Sequence, residues 1–131
     1  MSKKDQIAYW YDTGLEDFDV AEECFKSKRY NYALFFVHLS IEKLLKGLSV
    51  LNTGDVAPLT HNILELLKTA RIDADLDQLS QFTEINTFNI RARYDDFKRS
   101  FFKKATKEYT EEYMEYARKL KSWLETKYQK K

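Results

Sequence analysis

The sequence predicts an all-α fold, a single compact, up-and-down bundle of about five helices. Three observations carry that prediction. Only three Gly and one Pro occur in 131 residues, 33% of which are charged, a composition of long helices joined by few tight turns. Apolar residues recur at three- and four-residue spacing over long stretches. No internal repeat, low-complexity stretch or linker interrupts the chain, so residues 1–131 are expected to form one domain.

The elements follow in order. Residues Asp5 to Lys28 read as a first helix whose buried face is Trp10, Gly14, Phe18, Ala21 and Phe25. Gly14 inside it costs about 1 kcal/mol relative to Ala, which points to close approach of another helix there. A second helix spans Tyr30 to Leu51, with Ala33, Phe36, Val37, Ser40, Ile41, Leu44, Leu45 and Leu48 in one stripe. Leu34, Phe35, Leu39 and Val50 fall off that stripe, so this helix is apolar on more than one face and is expected at the centre of the bundle or against a second subunit. Truncating Phe36 to Ala should cost about 3–5 kcal/mol if the ring is fully buried.

Asn52-Thr53-Gly54-Asp55 is a stop signal, with Gly54 suited to a left-handed cap. Pro58 and Thr60, the latter as N-cap, precede a short helix carrying Ile63, Leu66, Leu67 and Ala70. A fourth helix uses Leu76, Leu79, Phe82, Asn86 and Ile90 and ends around Arg91–Asp96. The last helix runs from Ala105 to Tyr128 on a face of Tyr109, Tyr113, Tyr116, Ala117, Leu120, Trp123 and Leu124, and Lys127 to Lys131 are expected to fray.

Composition narrows the function classes. The chain is long enough to bury a core without disulfides or metal, and its one cysteine, Cys24, permits no internal disulfide and fits a reducing, cytoplasmic setting. One Cys and two His leave too few ligands for a structural zinc site. No apolar run reaches the length of a membrane span. Phosphate-loop, dinucleotide, zinc-protease and serine-hydrolase signatures are absent, and the acidic pairs lack the Gly-Ser context of a nucleotidyltransferase centre. No cofactor is expected.

Net charge is +1 but unevenly spread. Asp12, Glu16, Asp17, Asp19, Glu22 and Glu23 form an acidic run without a basic residue. Arg91, Arg93, Lys98, Arg99, Lys103, Lys104 and Lys107 form a basic one, against Asp95 and Asp96. The asymmetry can steer a polyanion to one face, or the two runs can offset each other within the fold or across a dimer.

Three groups of residues are candidates for chemistry. Arg91, Arg93, Tyr94, Asp95 and Asp96 are poor core material, since guanidinium and carboxylate groups are costly to bury unpaired. They suit an anion site, because arginine offers a planar fork to phosphate; a buried ion-pair network is the other use for them. Lys98, Arg99, Lys103 and Lys104, interleaved with Phe97, Phe101 and Phe102, form a basic patch with stacking surface, or phenylalanines packed beneath a connector. His38, Glu42 and Lys46, spaced four apart, share one helical face; they can line a polar groove, and the simplest reading makes Glu42–Lys46 an ordinary surface pair. His61 can line a cleft or fix its loop through backbone bonds.

Taken together, these stretches resemble a known family. Trp10, Asp17 and Ala21 lead into Tyr30-Asn31-Tyr32-Ala33-Leu34-Phe35, then Ile41-Glu42-Lys43-Leu44-Leu45-Lys46, Leu59-Thr60-His61-Asn62-Ile63 and Arg91-Ala92-Arg93-Tyr94-Asp95. In this order the sequence is similar to the HEPN domain family over nearly its whole length. The resemblance implies a helical bundle, commonly a homodimer with a cleft between subunits. It also implies proposed nucleotide binding and frequent pairing with a minimal nucleotidyltransferase in toxin–antitoxin systems.

Ribonuclease members carry an Arg followed, after four to six residues, by His. Here the corresponding positions after Arg91 are Asp96, Phe97 and Lys98, and after Arg93 they are Lys98, Arg99 and Ser100. Neither histidine lies near, so RNA hydrolysis lacks its natural proton shuttle. The resemblance carries over to Arg91, Arg93, Tyr94 and Asp95, with Lys98 and Arg99, and to the Glu42/Lys46 face. The expectation is a non-enzymatic module, homodimeric and away from membranes, that binds nucleotide or RNA there beside a nucleotidyltransferase-type partner. The alternatives are a metal-independent ribonuclease using Arg93, Tyr94 and Asp95, and a purely structural, antitoxin-like protein partner.

Overall fold

A computed structural model describes residues 1–89 and 95–129, and the side chains of all of these except 95–97. The described residues form six α-helices and no strand: α1 (Lys3–Lys26), α2 (Tyr30–Thr53), α3 (Ile63–Thr69), α4 (Leu76–Asn86), α5 (Asp95–Lys104) and α6 (Lys107–Gln129). The all-α class is as the sequence predicts. The helix count is one higher than expected because the basic tract is itself helical.

Local chemistry sets the boundaries. Ser2 caps α1 in a reciprocal box with Asp5, and Lys28, at φ 65°, closes the turn into α2. Gly54, at φ 78°, ends α2 by donating its N–H to the Val50 carbonyl, the left-handed cap expected of it. Thr60 is not the cap of α3. Asn62 takes that place, its side chain accepting from the Leu64 and Glu65 N–H groups, while the Thr60 hydroxyl accepts from the Asn62 N–H at 3.0 Å. Asp75 and Gln78 form a second capping box at α4.

Helix α2 is the axis of the molecule and packs against every other helix. Leu34, Val37, Ile41, Leu44, Leu45 and Leu48 are fully buried on it. Phe36 is only half-buried, so the full-burial cost does not apply to its truncation. Where α1 crosses α2, a Cβ on Gly14 would stand 3.1 Å from Leu44 and 3.3 Å from the Ser40 carbonyl, and the Ser40 hydroxyl donates to the Gly14 carbonyl at 2.7 Å. Gly14 therefore marks the close approach that its position suggested. Trp10 and Phe25 sit at the half-buried edge of the α1 face.

The second half departs more from expectation. Helix α4 stops at Asn86, and Phe88 turns back into the core against Phe101, Tyr109 and Tyr113; Ile90 lies outside the described residues. Leu76 and Leu79, expected on the buried face, are exposed; Phe82 and Ile85 are its buried residues. On α6 the core positions are Thr110, Met114, Ala117, Leu120 and Leu124, with Tyr109, Tyr113, Tyr116 and Trp123 half-buried beside them. Lys127 and Tyr128 do not fray. The Tyr128 hydroxyl donates to the Leu44 carbonyl, filling the space that a side chain at Gly47 would occupy.

Candidate functional site

The buried polar cluster on α2 is built around one carboxylate. Glu42 is 4% exposed and Lys46, one turn on, is 6% exposed, so the pair is not the surface pair that spacing suggests. Lys46 Nζ lies 3.1 Å from Glu42 Oε2 and 5.3 Å from the centre of the Trp10 ring on α1. His61, from the α2–α3 loop, places Nδ1 2.9 Å from the same oxygen. His38, fully buried one turn earlier on α2, places Nδ1 3.6 Å from Oε1.

Burial pushes the Glu42 carboxyl up, but the His61 hydrogen bond and the Lys46 ammonium, with His38, outweigh it and hold the group below the ordinary carboxylate value. An ionised Glu42 can only accept, so His61 Nδ1 carries the proton of this bond. The imidazole stays 54% exposed at its side chain. A buried carboxylate thus fixes the orientation of a solvent-facing histidine, an arrangement suited to proton transfer or to holding an anion.

A second feature is the outer face of α5. Lys98, Arg99 and Lys103 are exposed, as is Phe102 at 66%, and none of the three cations pairs with a carboxylate among the described residues. Lys104 is committed elsewhere: its Nζ lies 2.6 Å from Glu84 and 5.3 Å from the Tyr109 ring centre. Phe101 is buried under the helix. The interleaved phenylalanines therefore divide, Phe101 to the core and Phe102 to solvent. Arg91, Arg93 and Tyr94, and the side chains of Asp95, Asp96 and Phe97, lie outside the described residues.

The acidic run of α1 finds its partners away from α5. Asp17 pairs with Lys43 at 2.8 Å, and Glu22 receives two hydrogen bonds from Arg118, each 2.8 Å. That fork, opposed in part by burial and reinforced by nearby cations, holds the Glu22 carboxyl below its ordinary range.

This helical order can be set against known proteins. The HEPN domain model matches residues 7–127. The chain belongs to the HEPN domain family. A crystal structure of TT1696 from Thermus thermophilus superposes with a TM-score of 0.78 at 22% identity, covering 93% of this chain and 98% of that one, a likeness of fold. No curated protein matches the sequence.

Within the HEPN frame, both histidines gather on Glu42 rather than following the arginines in sequence. Spacing alone could place His38, Glu42 and Lys46 on one face, but not say that the face is buried. The signal for burial lies in the all-round apolar character of α2, where a polar face has no open solvent to meet. The bond from His61 crosses 19 positions, and no local pattern encodes it. The Glu84–Lys104–Tyr109 contact is equally hidden from sequence, since the basic tract reads as a connector.

Proposed function

We propose that this HEPN-domain protein is a non-enzymatic module that binds a nucleotide or an RNA segment. The ligand's phosphates would meet Arg91 and Arg93, with Lys98 and Arg99, while Tyr94 and Asp95 complete the site. The observation that carries the reading is the outer face of α5, whose exposed cations Lys98, Arg99 and Lys103 are unmatched by carboxylates among the described residues and begin five positions after Arg93. Guanidinium and ammonium groups on one surface next to an exposed phenylalanine suit a single-stranded polyanion. Glu42 and Lys46 neutralise each other, so their part is to brace α2 against α1 and the α2–α3 loop.

In this reading the protein is a homodimer seamed along α2, where Tyr32 is exposed and Phe35, Phe36 and Leu39 are half-exposed. It works with a minimal nucleotidyltransferase in a toxin–antitoxin pair, as the family resemblance implies. The test is the salt dependence of binding to labelled single-stranded RNA. Wild-type affinity should fall steeply with salt, and Lys98→Ala with Arg99→Ala should flatten the log–log slope by about 0.7 for each phosphate no longer neutralised. An unchanged slope removes α5 from the site.

A second reading, a metal-independent ribonuclease, is favoured by the half-exposed His61 held by Glu42. It predicts RNA cleavage in EDTA that His61→Ala abolishes while RNA binding persists.

A further inference from the structure

On the side where α4 meets α6 lies a cleft of about 470 Å³ lined by Asp77, Ser80 and Gln81 from α4 and by Glu112, Tyr113 and Tyr116 from α6. Positions 77, 80 and 81 fall on one face of α4, and 112, 113 and 116 on one face of α6. The two tyrosine rings meet edge to face with centroids 5.2 Å apart, and Tyr113 is backed by Phe88 and Tyr109. One wall of the cleft is therefore aromatic and packed from behind. Neither carboxylate is matched by a cation among the described residues, whereas the neighbouring Glu84 is neutralised by Lys104.

The electrostatics agree with the geometry. Burial and then the Glu84 and Glu112 carboxylates push the Tyr113 hydroxyl up to about 12. Tyr116 is raised as well, first by Glu112 and further by Asp77. Every neighbouring charge named opposes a further negative charge in the cleft, which is the field a cation would relieve.

We propose that this cleft binds a guanidinium group. Its flat face would lie against one of the two tyrosine rings, which stand nearly perpendicular to each other, and its N–H edge would point at the Asp77 and Glu112 carboxylates. Aromatic faces attract cations through the ring quadrupole, and arginine does so with a planar fork that carboxylates accept in pairs. Ser80 and Gln81 supply further acceptors at the rim. A lysine ammonium, a point charge that is more strongly hydrated, cannot stack on a ring face in the same way. The guanidinium can come from a small molecule or from an arginine side chain on a partner protein. The site is independent of the α5 face and of the RNA reading.

The experiment follows the ring resonances of Tyr113 and Tyr116 by NMR while the full chain is titrated with arginine methyl ester, lysine methyl ester or a blocked tripeptide with a central arginine. Saturable millimolar shifts with the arginine ester, weaker ones with the lysine ester, are expected. Glu112→Gln and Tyr116→Leu should each weaken binding about fivefold, the scale of one cation–π or charge interaction. Tighter binding of the tripeptide supports the site and assigns it to a partner's side chain, and tighter binding of the free ester supports it and assigns a small molecule. Absence of saturable shifts in the wild type, or equal binding by a Glu112→Gln/Tyr116→Leu double variant with an unchanged melting temperature, overturns the proposal.

Discussion

Glu42 shows most clearly what single side chains decide in this molecule. A carboxylate this deeply buried is tolerable because three nitrogens surround it. Replacing it by Gln leaves Lys46 buried without its counter-charge, and urea unfolding should show a loss of about 3 kcal/mol. Because its folded pKa lies below the unfolded value, Glu42 contributes stability at higher pH that is lost as pH falls through the carboxylate range near 4.5 and on to the depressed folded value. Stability measured from pH 6 downward should therefore fall less steeply in Glu42→Gln than in the wild type. Gly47 gives a second test. A Cβ there would stand 2.2 Å from the Tyr128 hydroxyl oxygen, so Gly47→Ala must displace Tyr128 and break its bond to the Leu44 carbonyl, costing about 1–3 kcal/mol. In a Tyr128→Phe background the obstructing oxygen is gone, and the same substitution should cost measurably less; strict additivity would contradict the packing described.

At the scale of elements, the first half of the chain is legible in its helices and their packing, the second half in its helices but less in their caps, faces and the basic tract, for a physical reason. Helices α1 and α2 are long, and their apolar periodicity is enforced by burial against each other; Gly14 and Gly54 act at the positions that their chemistry suggested. The helices from α3 onward are short or joined by capping residues whose roles depend on geometry. Thr60 and Asn62 are both good caps, and only the observed backbone selects Asn62. Asn62→Ala should lower stability by about 1 kcal/mol and Thr60→Ala by less, read from thermal melts. Leu76 and Leu79 imitate a buried face that α4 does not use, since the capping box at Asp75 sets its start and Phe82 and Ile85 anchor it. The basic tract of α5 disguises a helix: among its described side chains Lys98, Arg99, Lys103 and Lys104 are exposed and Phe101 alone is buried in the core, and Lys103 and Lys104 in the last turn favour the helix dipole. Of the candidate site residues, Lys98 and Arg99 emerge exposed and Glu42 and Lys46 emerge buried, a distinction that identity and spacing alone do not make.

At the scale of the whole molecule, five helices pack around α2 and leave a cationic face at α5, a half-exposed histidine held by a buried carboxylate, and an acidic aromatic cleft between α4 and α6. No helix among the described residues is long and apolar enough to cross a membrane. In the function proposed above, this HEPN-domain protein would hold a polyanion through its arginine segment without cutting it. The most direct test is a gel in which purified protein meets end-labelled structured RNA in EDTA, beside Arg93→Ala. The wild type should shift intact RNA and Arg93→Ala should not, with the melting temperature of the variant unchanged. Cleavage by the wild type, or an equal shift by both proteins, would contradict that function.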